Sequence, residues 1–252
     1  MTTELQTLRR ARSDPELVVL EGFHAVKHAL RFGAELALLV TDDVRATVAL
    51  AGDLAPDLVG TFEARAVAIT REELRAAGPH VRTGVVGVAR RPHVDPGALL
   101  AQRGGAPVVL LEDPRDLGNV GAVVRVAAAA DIAGVVTTGR SDPWDPAALR
   151  GSAGLHFALP VARIDALGSG RPLIGFDPEG QLLEPTTLPA DAVLAFGTER
   201  AGLSDDLLAR CDARLALPMR TGVSSLNLAT SVSAVLFAWR LAQGWAGRLA
   251  DD

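Results

Sequence analysis

The feature that most constrains the fold is the aliphatic run VVLL at residues 108–111, which leads through a polar loop into an apolar helix. Strands that are apolar on both faces are typical of a parallel sheet covered by helices. Similar units follow, with strands predicted at 134–138, 172–176, 192–197 and 213–218 and helices predicted at 119–131, from 204, and at 226–243. This alternation predicts an α/β domain whose ligands bind in the loops after the strands.

The first hundred residues predict a second, smaller α/β unit. Its predicted helices cover 3–11, 23–33 and 71–77, and its predicted strands cover 17–21, 35–40, 66–70 and 84–89. A segment rich in Pro, Gly and Arg follows, which is typical of a linker. We therefore predict an N-terminal domain at residues 1–92, a linker at 93–106 and a C-terminal domain at 107–252.

Charge and cysteine content restrict the classes of partner. The net charge of −5 argues against a broad surface for polyanions, so any nucleic-acid site must be a local cluster. Its candidate residues are Arg9, Arg10, Arg12, Arg90 and Arg91. Cys211 is the only cysteine, which excludes an intramolecular disulfide, and we expect it to be a small buried apolar residue.

The sequence predicts a cytoplasmic protein without a metal. It has no run of eighteen uncharged apolar residues, and its start, MTTELQTLRRARSD, lacks the apolar core of a signal peptide. His24 and His28 are spaced as i and i+4 on a predicted helix, but no third ligand is nearby. We therefore expect packing or a contact with a partner for these histidines, and no metal site.

The first motif is LEDPRDLGNVGAVVRVAAAAD at residues 111–131. Gly118 permits a tight turn, and Asn119 can cap the helix so that backbone N–H groups face an anionic group. Arg125 lies one helical turn beyond Gly121 and could hold a phosphate or polarise a hydroxyl. Alone, these residues also fit an ordinary capped helix with an exposed arginine.

Two further motifs follow predicted strands. FGTERAGLS at 196–204 places Glu199 in a turn between Gly197 and Gly202, where glycine lets the backbone approach a ligand closely. LPMRTGVSSLNLATSVSAVLF at 217–237 places small polar residues at the start of an apolar helix, which Ser225 can cap. Ordinary loops with helix caps are the structural alternative for each motif.

Together, the patterns N-x-G-x-x-x-R, G-T-E-x-x-G-L-S and L-P-M-x-x-x-V-x-S-L-N closely resemble the three signature motifs of SpoU/TrmH-type RNA methyltransferases. RGSAGLHFALPV at 150–161 and LEGFHAVKHAL at 20–30 also resemble segments of that family. The resemblance implies a C-terminal parallel-sheet domain with a deep trefoil knot, and a small N-terminal α/β RNA-binding domain with a ribosomal-protein-like fold. It also implies a homodimer that is formed through the final helix.

The resemblance implies S-adenosylmethionine as cofactor and 2'-O-methylation of a ribose in ribosomal or transfer RNA. The expected cofactor-binding residues are Phe196, Gly197, Thr198, Glu199, Gly202, Leu217, Met219, Ser225, Leu226 and Asn227. The expected catalytic residues are Arg125, Asn119, Glu199, Ser225 and Asn227. The expected RNA-binding residues are Arg9, Arg10, Arg12, His24, Arg90, Arg91, Arg115 and Arg125.

Two other functions remain open at this point. A nicotinamide dehydrogenase is disfavoured because Gly118 and Gly121 give G-x-x-G instead of the required G-x-G-x-x-G, and P-loop, H-E-x-x-H and G-x-S-x-G motifs with partners are also lacking. A non-catalytic RNA-binding protein with the same fold is favoured by the low net charge. The presence of Arg125, Glu199 and Asn227 argues against it.

Overall fold

The chain forms two separate β-sheets, each covered by helices. The computed structural model describes residues 2–77, 84–102, 105–168, 170–198 and 201–244. The helices are α1 (Thr3–Ala11), α2 (Phe23–Arg31), α3 (Val44–Leu54), α4 (Val59–Arg65), α5 (Arg71–Ala77), α6 (Pro96–Ala101), α7 (Leu117–Ala129), α8 (Pro146–Gly151), α9 (Asp205–Leu208) and α10 (Leu228–Ala242). The strands are β1 (Leu17–Glu21), β2 (Leu36–Thr41), β3 (Val67–Ala68), β4 (Val85–Arg90), β5 (Val108–Leu111), β6 (Gly134–Thr137), β7 (Val161–Arg163), β8 (Leu173–Leu182), β9 (Val193–Phe196) and β10 (Ala213–Ala216).

Contacts divide the chain into two units. The first consists of Met1–His93 and Trp144–Ala158, and the second of Val94–Pro143 and Leu159–Asp252. This division differs from the predicted boundaries at 1–92, 93–106 and 107–252. The predicted linker contains α6, whose first turn is capped by Asp95, and Leu99 of α6 packs into the core of the second unit.

The first unit contains a four-stranded sheet in the order β1-β4-β2-β3. β4 runs antiparallel to both β1 and β2, whereas β3 runs parallel to β2. One side of the sheet packs against α1 and α5 through a cluster that includes Leu8, Val40 and Val88. Elsewhere in the unit, the buried rings of Phe23 and Phe62 stack with their centroids 5.0 Å apart.

Residues 144–158 belong to this first unit although the sequence on both sides of them belongs to the second. Arg150 of α8 pairs with Glu21 of β1 at 3.0 Å, and the Glu21 side chain is only 2% exposed. A Cβ at Gly154 would lie 2.3 Å from the Ala25 carbonyl oxygen, so the turn packs directly on α2. These long-range contacts explain why the sequence pattern did not predict the boundary.

The second unit contains a six-stranded sheet in the order β10-β8-β9-β5-β6-β7. Every pairing in it is parallel, and β5, β6 and β9 are fully buried, as the predicted aliphatic runs require. The register between β8 and β10 shifts where residues 176–180 of β8 leave the ladder. The parallel α/β sheet that the sequence predicts is therefore present, and the carboxyl ends of its strands define one edge for binding.

Candidate active site

A cavity of about 460 Å³ lies in the second unit, between the part of β8 that leaves its ladder with β10 and the loops that follow β9 and β10. It is lined by Phe176, Asp177, Pro178, Glu179, Phe196, Gly197, Thr198, Ala201, Gly202, Leu215, Leu217, Met219, Ser224, Ser225, Leu226, Leu228 and Ser231. Its walls combine apolar side chains with hydroxyls and backbone, and its volume is within the range of small-molecule sites. Residues of the second and third sequence motifs therefore share one pocket.

The wall after β9 is a tight turn. Thr198 N–H donates to the Gly202 carbonyl at 3.1 Å, and Gly202 N–H donates to the Thr198 carbonyl at 2.9 Å. A Cβ at Gly197 would lie 1.9 Å from the Gly202 carbonyl carbon, so this position requires glycine. Gly202 has a φ of +67°, a conformation that glycine adopts without strain. Glu199, which the sequence predicts to be both catalytic and cofactor-binding, lies outside the described residues.

Two aromatic rings lie at the base of the cavity. Phe176 of β8 and Phe196 of β9 stack in parallel, with centroids 4.7 Å apart and an angle of 3° between the planes. Phe196 is 3% exposed, so its ring is fixed by the core. A planar apolar group in the cavity can pack against these fixed aromatic rings.

The loop that precedes α10 forms another wall. Its residues 221–227 are all exposed, including Val223 and Leu226. Asn227 caps α10, because its side-chain oxygen accepts from the N–H groups of Ala229 and Thr230. The prediction that Ser225 caps this helix was therefore wrong, and the Ser225 side chain instead belongs to the cavity wall.

The helix of the first motif begins earlier than predicted. Asp116 caps α7 by accepting from Asn119 N–H at 3.0 Å, so Asn119 is not the cap and Gly118 lies inside the helix instead of in a turn. The Asn119 Oδ1 instead accepts a hydrogen bond of 3.1 Å from Asn227 Nδ2. The structure thus brings together the first and third motifs, whose spacing alone could not predict this contact.

Arg125 lies on α7 and is exposed. It makes no hydrogen bond or ion pair with any residue that the structure describes, and its guanidinium is always charged at physiological pH. It can therefore hold an anionic group from solvent without first breaking an internal pair.

Glu112 joins the first motif to the second. It follows β5, and its carboxylate accepts from Ser204 N–H at 2.7 Å and from Ser204 Oγ at 2.5 Å. Ser204 in turn caps the short helix α9 by accepting from Leu207 N–H. This role of Glu112 was not predicted from the sequence, although a carboxylate at the end of a buried strand was a signal for it.

One wall of the cavity was also not predicted from the sequence. Phe176 ends the predicted strand at 172–176, and Asp177 and Glu179 directly follow it, where β8 leaves its ladder with β10. Their position at the carboxyl end of a parallel strand was a usable signal. No motif in the sequence indicated that residues 177–180 turn toward the neighbouring strands.

The predicted RNA-binding residues are distributed over both units. In the first unit, Arg9 and His24 are exposed, Arg10 pairs with Asp14 at 3.3 Å, and Arg12 pairs with Glu21 at 3.0 Å. Two further arginines of this unit have partners: Arg90 pairs with Glu35 at 3.1 Å, and the Arg91 guanidinium lies 5.5 Å from the Trp144 ring centroid. In the second unit, Arg115 pairs with Asp113 at 3.2 Å.

Other features bear on cofactors and membranes. Burial raises the pKa of the Cys211 thiol, so it stays protonated and is poorly suited to act as a nucleophile. His28 Nδ1 lies 2.8 Å from the Ala153 carbonyl oxygen, and in the described ranges no group of three or more His, Cys, Asp or Glu side chains could hold a metal. None of the helices within these ranges is long and apolar enough to cross a membrane.

Comparisons with known proteins identify relatives. The family described as SpoU rRNA Methylase matches residues 106–237. The chain is 32% identical over 150 residues to a 23S rRNA (uridine(2479)-2'-O)-methyltransferase of Streptomyces viridochromogenes, a match that covers 51% of this chain and 50% of that relative. It is 29% identical over 244 residues to a 23S rRNA (adenosine(1067)-2'-O)-methyltransferase of Streptomyces laurentii, with 90% of this chain and 87% of that relative covered.

A solved structure shares the fold. The SpoU methyltransferase AviRb of S. viridochromogenes, solved in complex with AdoMet, superposes with a TM-score of 0.77 at 24% identity, covering 98% of this chain and 100% of that one. The α/β fold with a parallel sheet is thus common to both proteins. The family match covers more than half of the chain and includes all three motifs, so the resemblance is confirmed and the chain belongs to the SpoU rRNA Methylase family.

Proposed function

We propose that this protein transfers a methyl group from S-adenosylmethionine to the 2'-hydroxyl of a ribose in structured RNA. The observation that carries the proposal is the cavity formed by the second and third motifs, with Asn227 beside it hydrogen-bonded to Asn119 on the helix of Arg125. The two streptomycete relatives are named for 2'-O-methylation of 23S rRNA, which favours a ribosomal substrate over a transfer RNA.

The cavity fits the cofactor. Its volume of about 460 Å³ is adequate for a nucleoside with a short side chain, and the stacked Phe176 and Phe196 rings offer a flat surface to a base. Gly197 and Gly202 both line the cavity, and a Cβ at Gly202 would meet no protein atom within 4 Å, so a ligand can approach the backbone there closely. The proposed cofactor-binding set is Phe196, Gly197, Thr198, Glu199, Gly202, Leu217, Met219, Ser225, Leu226 and Asn227.

The chemistry requires alignment of a weak nucleophile with an activated methyl group. When bound, S-adenosylmethionine supplies that methyl on a sulfonium. A ribose hydroxyl is a poor nucleophile at neutral pH, so the protein must orient it and ease the loss of its proton. Arg125 cannot act as a free base because its guanidinium stays protonated.

In the proposed mechanism, Arg125 binds a phosphate of the substrate and stabilises the negative charge that develops on the attacking oxygen. The phosphate or a water accepts the proton. Asn119 and Asn227 fix the position of the nucleotide through their mutual hydrogen bond, while Ser225 and Glu199 complete the hydrogen-bonding set. These five residues are the proposed catalytic group.

We further propose that the first unit selects the RNA through a local basic surface comprising Arg9, Arg10, Arg12, His24, Arg90 and Arg91, with Arg115 and Arg125 contacting RNA in the second unit. Single-stranded or specially shaped RNA is read by such surface groups, and the 2'-hydroxyl itself distinguishes RNA from DNA. On this proposal the first unit is an RNA-binding domain with a ribosomal-protein-like fold, and the enzyme acts in the cytoplasm.

We also propose a homodimer through α10 and a trefoil knot in the second unit. Ala234, Phe237 and Leu241 are exposed at spacings of three and four residues, so they form one apolar face of the helix. The knot is supported by the strand order, in which β9 lies between β8 and β5 while the chain returns to pair β10 with β8. An experimental structure, traced from the β8 loop to the end of α10, tests the threading.

Two experiments test the activity. Calorimetry should detect binding of S-adenosylmethionine, and exclusive binding of a nicotinamide dinucleotide would support a dehydrogenase instead. Mapping of 2'-O-methylation in ribosomal and transfer RNA should reveal one site that is modified in the parent strain and unmodified in a deletion strain. Identical maps in the two strains, together with cofactor binding, would support a non-catalytic RNA-binding role.

A further inference from the structure

Asp177 presents a fixed acceptor at the cavity wall. Its Oδ1 accepts from Arg214 Nη2 at 3.0 Å and from Glu179 N–H at 2.8 Å, so the carboxylate cannot rotate freely. The side chain is only 15% exposed. Its Oδ2 accepts no hydrogen bond from any residue in the described parts of the chain. This oxygen can accept a hydrogen bond from water or from a donor of a ligand in the cavity that Asp177 lines.

The surroundings of Asp177 favour a neutral donor. Arg214 lies 3.0 Å from the Asp177 carboxylate and 3.9 Å from that of Glu179, so its charge is shared but the closer pair is with Asp177. A second cation therefore gains less Coulomb energy at Asp177 than it would at an unpaired carboxylate. A neutral hydroxyl group can still donate a hydrogen bond to a carboxylate that is paired with an arginine. Carboxylates bind ribose hydroxyls in this way in other nucleotide-binding α/β folds. Asp177 also directly follows Phe176, whose ring stacks on Phe196 and offers the flat surface for a base.

We infer that Asp177 binds the ribose hydroxyls of the cofactor's nucleoside, and that Arg214 is the positioning residue that holds its carboxylate. This inference rests on the proposed function, because only a nucleoside cofactor brings a ribose into this cavity. It adds a residue of β8 to a site that the three sequence motifs alone assign to the loops after β9 and β10.

The test uses calorimetry on the full-length protein with two ligands. S-adenosylmethionine carries adenine, ribose, a positively charged sulfonium and an amino acid, whereas 5'-methylthioadenosine carries adenine, ribose and a neutral methylthio group. Asp177→Asn should weaken the binding of both ligands by about tenfold or more, because a hydrogen bond to a charged acceptor is lost in each case. Glu184→Gln, an acid-to-amide change at an exposed residue outside the cavity lining, should leave both affinities unchanged.

Arg214→Gln separates positioning from binding. It breaks the same ion pair as Asp177→Asn but keeps the carboxylate, so we expect a smaller loss of affinity for both ligands. Equal losses in the two variants would show that only the ion pair matters and would overturn the inference. Thermal unfolding of each variant reports how much of any loss comes from the fold.

The remaining outcomes are also decisive. If Asp177→Asn weakens S-adenosylmethionine but not 5'-methylthioadenosine, the carboxylate acts on the sulfonium or the amino acid of the cofactor instead of its ribose, and the inference is wrong. It is also wrong if neither affinity changes. If the unmodified protein binds neither ligand, the proposed function itself is wrong. If it binds both ligands and Asp177→Asn changes neither affinity, only the inference about Asp177 is wrong.

Discussion

Asn227 Nδ2 donates a hydrogen bond of 3.1 Å to Asn119 Oδ1 across 108 residues of sequence. The same Asn227 side chain caps α10 through its oxygen. One amide therefore fixes the start of α10 and also links that helix to α7. The two roles use different atoms, so they can be separated by mutation.

Asn227→Ser should keep the side-chain cap of α10 and lose the hydrogen bond to Asn119. Serine caps helices about as well as asparagine, so the free energy of unfolding of Asn227→Ser should stay close to that of the unmodified protein. Asn227→Ala lacks a capping group and should lose about 1 kcal/mol of unfolding free energy. Both variants should show reduced methyl transfer because the shorter side chains do not reach Asn119. Denaturant unfolding and a methylation assay measure the two effects. Full activity in Asn227→Ser would contradict a catalytic role for the link.

Gly197→Ala should disrupt the turn after β9. The added Cβ would lie 1.9 Å from the Gly202 carbonyl carbon, so the backbone of the turn must move. We expect a loss of stability of about 1–3 kcal/mol and a marked loss of affinity for S-adenosylmethionine. Gly168→Ala is the matched control, because its Cβ meets no atom within 4 Å. Unchanged cofactor binding in Gly197→Ala would show that this turn does not form the site.

Arg125→Ala should lower methyl transfer at least about a hundredfold, the typical effect of removing a group that stabilises charge in the transition state. Binding of S-adenosylmethionine should be unaffected, since Arg125 does not line the cavity. Single-turnover assays and calorimetry measure the two quantities. Arg210→Ala, which removes an exposed arginine of the same unit, should remain active. Normal turnover by Arg125→Ala would remove Arg125 from the mechanism.

Leu241→Glu should dissociate the proposed dimer. Leu241 is 71% exposed, so the charge costs little within one subunit but much in an apolar interface. Light scattering after size exclusion should give a dimer for the unmodified protein and a monomer for the variant. Leu182→Glu, at an apolar residue that is 68% exposed on β8, should leave the dimer intact. A monomeric unmodified protein would refute the dimer proposal.

Lys27 should make stability rise with pH in the alkaline range. Burial, followed by the nearby Arg31 charge, lowers the pKa of Lys27, while Asp57 opposes this shift. The folded state therefore binds the Lys27 proton less tightly than the unfolded state, so a protonated Lys27 destabilises the folded protein. This destabilisation disappears as the pH rises from the lowered pKa toward the ordinary value. Urea unfolding between pH 7 and pH 10 should show a free energy of unfolding that increases with pH, and Lys27→Met should reduce the slope of this increase. The same slope in both proteins would exclude Lys27 as its source.

Sequence patterns predicted elements better than their long-range contacts. The aliphatic runs at β5, β6 and β9 identified buried parallel strands because such strands contact apolar groups on both faces. The caps were less predictable, since Asp116 and Asn119 are both good capping residues, and only the hydrogen bond from Asn119 N–H to the Asp116 carboxylate shows that Asp116 caps. Asp177 escaped prediction because its role depends on Arg214, a residue of another strand.

The assignment of residues 144–158 to the first unit has a consequence for biosynthesis. During translation, residues 1–93 are synthesised well before Arg150. The Glu21 carboxylate can therefore pair with Arg12 at once, but its pair with Arg150 forms only later. The first unit therefore cannot form the Arg150–Glu21 ion pair until β5 and β6 of the second unit have also been synthesised. A gene fragment that ends at residue 93 should yield an unstable polypeptide, and an autonomous N-terminal module would need residues 144–158 grafted onto it.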